Sequence, residues 1–185
     1  MKKSDIKVLP EYYIRYINEI EDIELSEALI MFGENLLIND KEKLISIGDK
    51  VYEPGKWTVK DIIQHLIDAE RIFVYRALRF ARNDKTALPG FEENEYAPEA
   101  KADKRSIDDL LTEFQILRRS TLHLFESFDN EVLQREGVST GVNISVLSIG
   151  FVIAGHTLHH SNVIREKYFP LIKSECCVNK VHSTV

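Results

Sequence analysis

Apolar residues recur at intervals of three and four through four separate stretches of this chain, and that periodicity confines it to helices packed on helices. The first stretch, about residues 25–47, carries Leu25, Leu29, Phe32, Leu36, Leu37, Leu44 and Ile47, with Asn39-Asp40 as a point where one helix could become two. The second runs from Val59 to about Arg82 on the stripe Val59, Ile62, Ile63, Leu66, Ala69, Phe73, Ala77 and Phe80, with Thr58 placed as its N-cap. The third follows Ser106, which has Asp109 three residues on, and shows Ile107, Leu110, Leu111, Phe114, Leu117, Thr121, Leu124, Phe125 and Phe128. The fourth spans about Ser145 to Tyr168 and is expected to stop before Pro170. With only 8 glycines and 5 prolines in 185 residues, the chain lacks the turn-forming residues of a many-stranded sheet. The expectation is an all-α protein of one domain: a four-helix bundle, up-and-down or a variant of it.

The connecting segments complete the division. Residues 1–24 read as a helical lead-in packed on the domain, beginning at Leu9-Pro10 and carrying Tyr12 and Tyr13; residues 25–170 form the bundle; residues 171–185 are expected to be a loose tail. Tyr52-Glu53-Pro54-Gly55-Lys56 is a turn. Residues 83–105, with Pro89, Gly90 and Pro98, read as a long irregular loop, and loops of that length inside a compact domain are often functional. The polar stretch with Gly137 and Gly141 reads as another connection.

A formal net charge of −6 gives the chain no general attraction to phosphate backbones or anionic lipid, so a nucleic-acid binder is disfavoured even though Arg71, Arg76, Arg79 and Arg82 cluster in the second stretch. No run reaches the roughly 18 uncharged apolar residues of a membrane span, and Met1-Lys2-Lys3-Ser4-Asp5-Ile6-Lys7 lacks the apolar run of a signal peptide. The two cysteines, Cys176 and Cys177, are adjacent, a poor arrangement for a structural disulfide, which fits a reducing cytoplasm.

The fourth stretch holds the chemistry. Ile149, Ile153, His156, His160 and Val163 step by four, three, four and three, so two histidines occupy an inward seam where Leu or Ile would be expected. At i and i+4 their β-carbons lie about 5–6 Å apart, close enough for two imidazoles to meet one ion at about 2.0–2.1 Å. A third ligand must come from a facing helix. His65, at the edge of the second stripe beside Ile62 and Ile72, is the candidate. Three histidines with a free position is the pattern of a catalytic metal site, and with no thiolate on the seam zinc or nickel fits best. The competing reading is a set of hydrogen-bonded core histidines; against it stands the cost of burying several imidazoles whose hydrogen bonds are unmet. His123, His159 and His182 are read as non-ligands.

The residues that carry this pattern resemble the DinB-like (DinB/YfiT) superfamily. The resemblance lies in Gly55-Lys56-Trp57-Thr58-Val59-Lys60-Asp61, Gln64-His65-Leu66-Ile67-Asp68-Ala69-Glu70-Arg71, Tyr75-Arg76-Ala77-Leu78-Arg79-Phe80, Leu88-Pro89-Gly90-Phe91, and Ile153-Ala154-Gly155-His156-Thr157-Leu158-His159-His160. It implies a four-helix bundle holding one divalent metal through a histidine on the second helix and an HxxxH pair on the fourth, which His65, His156 and His160 match. It also implies a homodimer, and a metal-dependent enzyme that activates a small thiol or water in transferase or hydrolase chemistry on a small-molecule substrate. The alternative function is a non-catalytic metal-binding or interaction protein whose ion organises the bundle core.

Few helpers are visible. Asp68 is placed to orient the His65 imidazole or, as the commoner case, to be a solvated helix carboxylate. Glu70 and Arg71 are expected to face a neighbouring loop, and Trp57 to anchor the helix start. Phe91, Glu92, Glu93 and Tyr96 are expected to cover the site mouth or to serve a dimer contact.

Overall fold

A computed structural model describes residues 1–33 and 35–172. The proposed tail from residue 173 onward, with Cys176, Cys177 and His182, lies outside the described residues.

The all-helical expectation holds. The helices are α1 (Ile14–Asn18), α2 (Leu25–Met31), α3 (Asn35–Ile38), α4 (Lys41–Ile47), α5 (Val59–Ala81), α6 (Glu93–Ala100), α7 (Ile107–Glu126), α8 (Asn130–Leu133) and α9 (Val146–Val163). The bundle is a ring: α5 packs on α7 and α9, and α2 packs on the same two helices from the opposite side. The helix starts follow side-chain chemistry. Thr58 Oγ1 accepts from the Asp61 N–H at 3.2 Å while the Asp61 carboxylate takes the Thr58 N–H at 2.9 Å, a reciprocal cap for α5. Ser106 and Ser145 accept from Asp109 and Ser148 at the starts of α7 and α9.

Helix α9 is the axis of the molecule. Every residue from Val146 to Thr157 is buried, so it presents apolar side chains all round rather than on one stripe. Glycine at position 155 has a specific cause. A Cβ there would stand 2.0 Å from the Tyr16 carbonyl oxygen, so only glycine lets the backbone of α1 lie directly on α9. This contact carries Tyr13, Tyr16, Ile17 and Ile20 into the core.

Four sequence expectations need correction. Residues 25–47 form three short helices, because Gly33 and the Asn39-Asp40 pair interrupt the stripe. Residues 83–105 are not irregular. They contain α6, whose first turn carries Glu93 and Glu95 in favourable proximity to the helix dipole, and a 3₁₀ turn over Ala102–Lys104. The polar stretch around Gly137 is an antiparallel hairpin, β1 (Glu136–Ser139) paired with β2 (Val142–Ser145), turned by Thr140 and Gly141 at φ 53° and 77°. The last helix does not stop before Pro170. It passes through a π-helical turn over Ile164–Tyr168 and continues to residue 172. Proline lacks the N–H that an α-helix needs and crowds the preceding turn, and a wider π turn just before it relieves both demands.

The core is two apolar clusters. One joins Ala69–Ala81 of α5 to Val146–Ala154 of α9; the other joins Val59–Ile67 of α5 to Ile164 and Tyr168 beyond α9. Helices α5 and α9 therefore run antiparallel, and where the two clusters meet, both helices carry polar side chains, Gln64, His65, Asp68 and Glu70 on α5 and His156, Thr157, His160 and Ser161 on α9. The site lies in this layer. No helix of the described residues is long and apolar enough to cross a membrane.

Candidate metal centre

Antiparallel packing of α5 on α9 brings His65 opposite the His156–His160 pair. The His156 Nε2 lies 3.1 Å from the His65 Nε2 and 3.1 Å from the His160 Nε2. All three ligand atoms fall within 4.8 Å of one another, and this is the grouping of metal-ligating side chains found among the described residues. His156 is buried; His65 and His160 are partly so.

The contacts around the imidazoles fix their rings. Tyr16 meets His156 edge-on with centroids 5.0 Å apart, Phe73 approaches the same ring at 6.1 Å, and Trp57 packs on His65 at 4.9 Å. Burial pushes the imidazolium forms down: His65 titrates at about 4, His160 at about 3, and His156 well below its usual 6.5. Repulsion between the imidazoles deepens the shift at His156 and His160. At neutral pH the three are uncharged, each offering one lone pair at its unprotonated ring nitrogen.

A divalent cation suits this donor set. An N–H on His156 Nε2 can serve only one of its two 3.1 Å contacts well, so hydrogen bonding among the rings leaves a nitrogen poorly matched. Two nitrogens each 2.0–2.1 Å from one ion are themselves about 2.9–3.4 Å apart for right-angled to tetrahedral coordination. The two separations at His156 lie in that interval.

Two clefts open beside the histidines. A narrow cavity of about 90 Å³ borders His65 and His156, walled by Ala69, Phe73, Arg76 and Phe91. A broader one of about 330 Å³ borders His65 and His160, walled by Tyr52, Trp57, His159 and Tyr168. Arg15, Tyr16 and Glu93 stand on both. The segment expected to cover the site mouth does contribute to it, through Phe91, Glu93 and Asn94.

Beneath the histidines lies a buried ion pair that the sequence did not reveal. Arg118 donates to Glu70 through Nε at 3.0 Å and Nη2 at 2.8 Å, to the Leu29 and Phe32 carbonyls through Nη1 at 3.1 and 3.0 Å, and to Thr157 Oγ1 at 2.9 Å. One guanidinium thus ties α2, α5, α7 and α9 together one residue from His156. Glu70 therefore faces inward, not toward a loop, while Arg71 pairs with Glu113. The hydrophobic stripe of α7 hides Arg118 from a periodicity argument, because Leu117 and Thr121 flank it.

Other assignments shift as well. Asp68 accepts from Gln64 Nε2 at 3.0 Å rather than from His65, and burial raises its pKa. Trp57 is more than an anchor for the helix start, since it walls the broader cleft against His65. Tyr16 comes from the lead-in; its hydroxyl accepts from Arg15 Nη2 at 2.6 Å, and desolvation raises its pKa despite that cation. Only the aromatic run Tyr12-Tyr13 hinted at its role. His159 stands off the centre, facing Glu19 at 3.2 Å, and His123 is exposed beside Glu126.

Comparison with known proteins bears on the family and the fold. A protein of Geobacillus thermodenitrificans, named "Putative metal-dependent hydrolase", is 31% identical over 114 residues, which are 60% of this chain and 63% of that protein. The match thus spans a little under two thirds of that relative's length. The structure of YfiT from Bacillus subtilis, described as "a probable metal-dependent hydrolase with an unusual four-helix bundle topology", aligns with a TM-score of 0.67 over 90% of this chain and 91% of its own, at 17% identity. At that identity the likeness speaks for the fold. The sequence profile of the DinB superfamily matches residues 46–164, from the end of α4 through all of α9, and the chain belongs to that superfamily.

Proposed function

We propose that this protein is a metal-dependent enzyme in which His65, His156 and His160 hold one divalent ion, zinc or nickel, for hydrolytic or thiol-transfer chemistry on a small molecule. The observation that supports it is the meeting of three neutral imidazole nitrogens, 3.1 Å apart in two of the pairs, beside a cleft of about 330 Å³. A closed structural site would need a fourth protein ligand, and none joins the three histidines among the described residues. When bound, such an ion supplies a Lewis acid that polarises a carbonyl and acidifies a coordinated water or thiol.

The protein's own groups frame that chemistry. Trp57 and Tyr168 give the broader cleft an aromatic wall beside His65. Tyr16 keeps its proton at neutral pH, and its Oη, already bound to Arg15, offers a hydrogen-bond donor and acceptor on the wall shared by both clefts. Support for water as the nucleophile comes from the hydrolase description of the Geobacillus relative. Support for a thiol comes from the family resemblance.

The test is metal analysis of protein purified without an affinity tag, beside a panel of esters, amides and electrophiles offered with and without small thiols. The reading expects about one ion per chain, its loss in His160→Ala, and turnover abolished by chelation and restored by metal. Metal-loaded protein that accelerates none of these reactions would overturn the enzymatic assignment.

A further inference from the structure

Three of the four arginines clustered on α5 and at its C-cap have evident partners. Arg71 pairs with Glu113, Arg79 pairs with Asp84 and reaches the Tyr75 hydroxyl, and Arg82 lies over the Phe128 ring at 5.8 Å. Arg76 differs. It is 3% exposed, yet no carboxylate of the described residues pairs with it. Its Nη2 donates to the Pro89 carbonyl at 2.9 Å and its Nη1 makes a long contact of 3.4 Å with the Tyr13 hydroxyl. Arginine is permanently charged, carries five N–H donors, and is almost never buried without a counter-ion.

The unpaired charge lies on the wall of the narrow cavity, which His65 and His156 also line. Arg15 adds a second cation to that wall, and Glu93 is the one acidic residue on it, so the lining carries a net positive charge in a chain whose total is −6. Phe73 links the two, its ring 6.1 Å from the His156 ring and 5.8 Å from the Arg76 guanidinium. His65 and Arg76 are eleven positions apart on α5, about 16 Å of helix rise, and the arginine side chain leans back toward the histidine.

We propose that Arg76 is a specificity-determining residue that binds a carboxylate of the substrate. The substrate is then a small acid with a short apolar body lying along Phe73 and its reacting group at the histidines. This inference rests on the functional reading above for its reacting end, but the acid site itself is independent of any metal. A planar guanidinium with free N–H groups matches a carboxylate in bidentate fashion, and a cavity of about 90 Å³ has room for that group and a few carbons.

The test uses full-length protein, without metal, titrated calorimetrically at low ionic strength with benzoate, its neutral counterpart benzamide, and inorganic phosphate. Benzoate should bind at least tenfold more tightly than benzamide or phosphate, and Arg76→Gln should lose that preference. Arg76→Lys should keep only part of it, because the charge stays and the fork is gone. Glu93→Gln should bind benzoate roughly twofold or more tightly, since a competing charge is removed. Equal binding of benzoate and benzamide by the wild type overturns the proposal, as does a folded Arg76→Gln protein that binds benzoate unchanged. Preference for phosphate overturns the carboxylate class. If Arg76→Gln fails to fold by circular dichroism, wild-type selectivity and the Glu93→Gln gain decide the matter. Zinc titration followed through the single tryptophan, Trp57, separates the two readings. Protein that selects benzoate but takes no zinc supports the acid site and overturns the metal centre; protein that takes zinc but not benzoate does the reverse.

Discussion

Arg118→Ala should be among the most damaging single substitutions in this protein. The side chain is 3% exposed and so is its partner Glu70. Truncation leaves a carboxylate buried without its cation and strips two carbonyls, Leu29 and Phe32, and the Thr157 hydroxyl of a donor. Breaking a buried pair by removing one partner costs about 3–5 kcal/mol, against a total stability of roughly 5–15 kcal/mol for a typical domain. For a chain of this size each kcal/mol lowers Tm by about 2–4 °C, so the variant should melt roughly 6–20 °C below wild type. Urea unfolding of the two single alanine variants and the double variant gives the cycle. Glu70→Ala should also destabilise, and the double variant should be less unstable than the sum of the singles by about 1–3 kcal/mol, because the second truncation removes the orphaned charge. An Arg118→Ala protein within about 1 kcal/mol of wild type, or strictly additive variants, would refute the claim that this pair holds the four helices together.

Two further outcomes follow from the same layer. Because His65 and His160 titrate at about 4 and about 3 when folded and near 6.5 when unfolded, the unfolded chain binds more protons between those values, and stability is present above about pH 6.5 and lost as pH falls. Metal-free protein should therefore lose roughly 2–4 kcal/mol between pH 7 and pH 5 from these two groups; a flat urea midpoint across that range would contradict their burial as neutral bases. Gly155→Ala places a methyl group 2.0 Å from the Tyr16 carbonyl oxygen, so α1 must lift from α9; a loss of about 1–3 kcal/mol in chemical denaturation is expected, and a neutral substitution would show that α1 is not seated there.

How much of this was legible in the sequence depends on whether the signal was local. The stripes of α5 and α7 and the caps Thr58 and Ser106 follow from spacing of three and four, and they emerge as read. The HxxxH pair on α9 and the lone His65 could be matched because a histidine on an apolar seam is itself anomalous. The π turn before Pro170 was invisible, since proline ordinarily ends a helix and nothing local announces a wider turn. The hairpin was missed because Val138, Val142 and Ile144 give too short an alternation to outweigh the polar residues around them. Arg118, Tyr16 and Arg76 owe their roles to partners 48, 140 and 63 positions away. Such contacts are properties of the packed bundle, and no window along the chain contains them.

Whether one ion lies where the three imidazoles meet is settled most directly by anomalous diffraction from zinc-soaked crystals, collected on both sides of the zinc edge. A single peak about 2.0–2.1 Å from the Nε2 atoms of His65, His156 and His160, with the remaining coordination open to the clefts, is the expected result. Zinc bound elsewhere, or held by the α9 pair with His65 turned away, would contradict it.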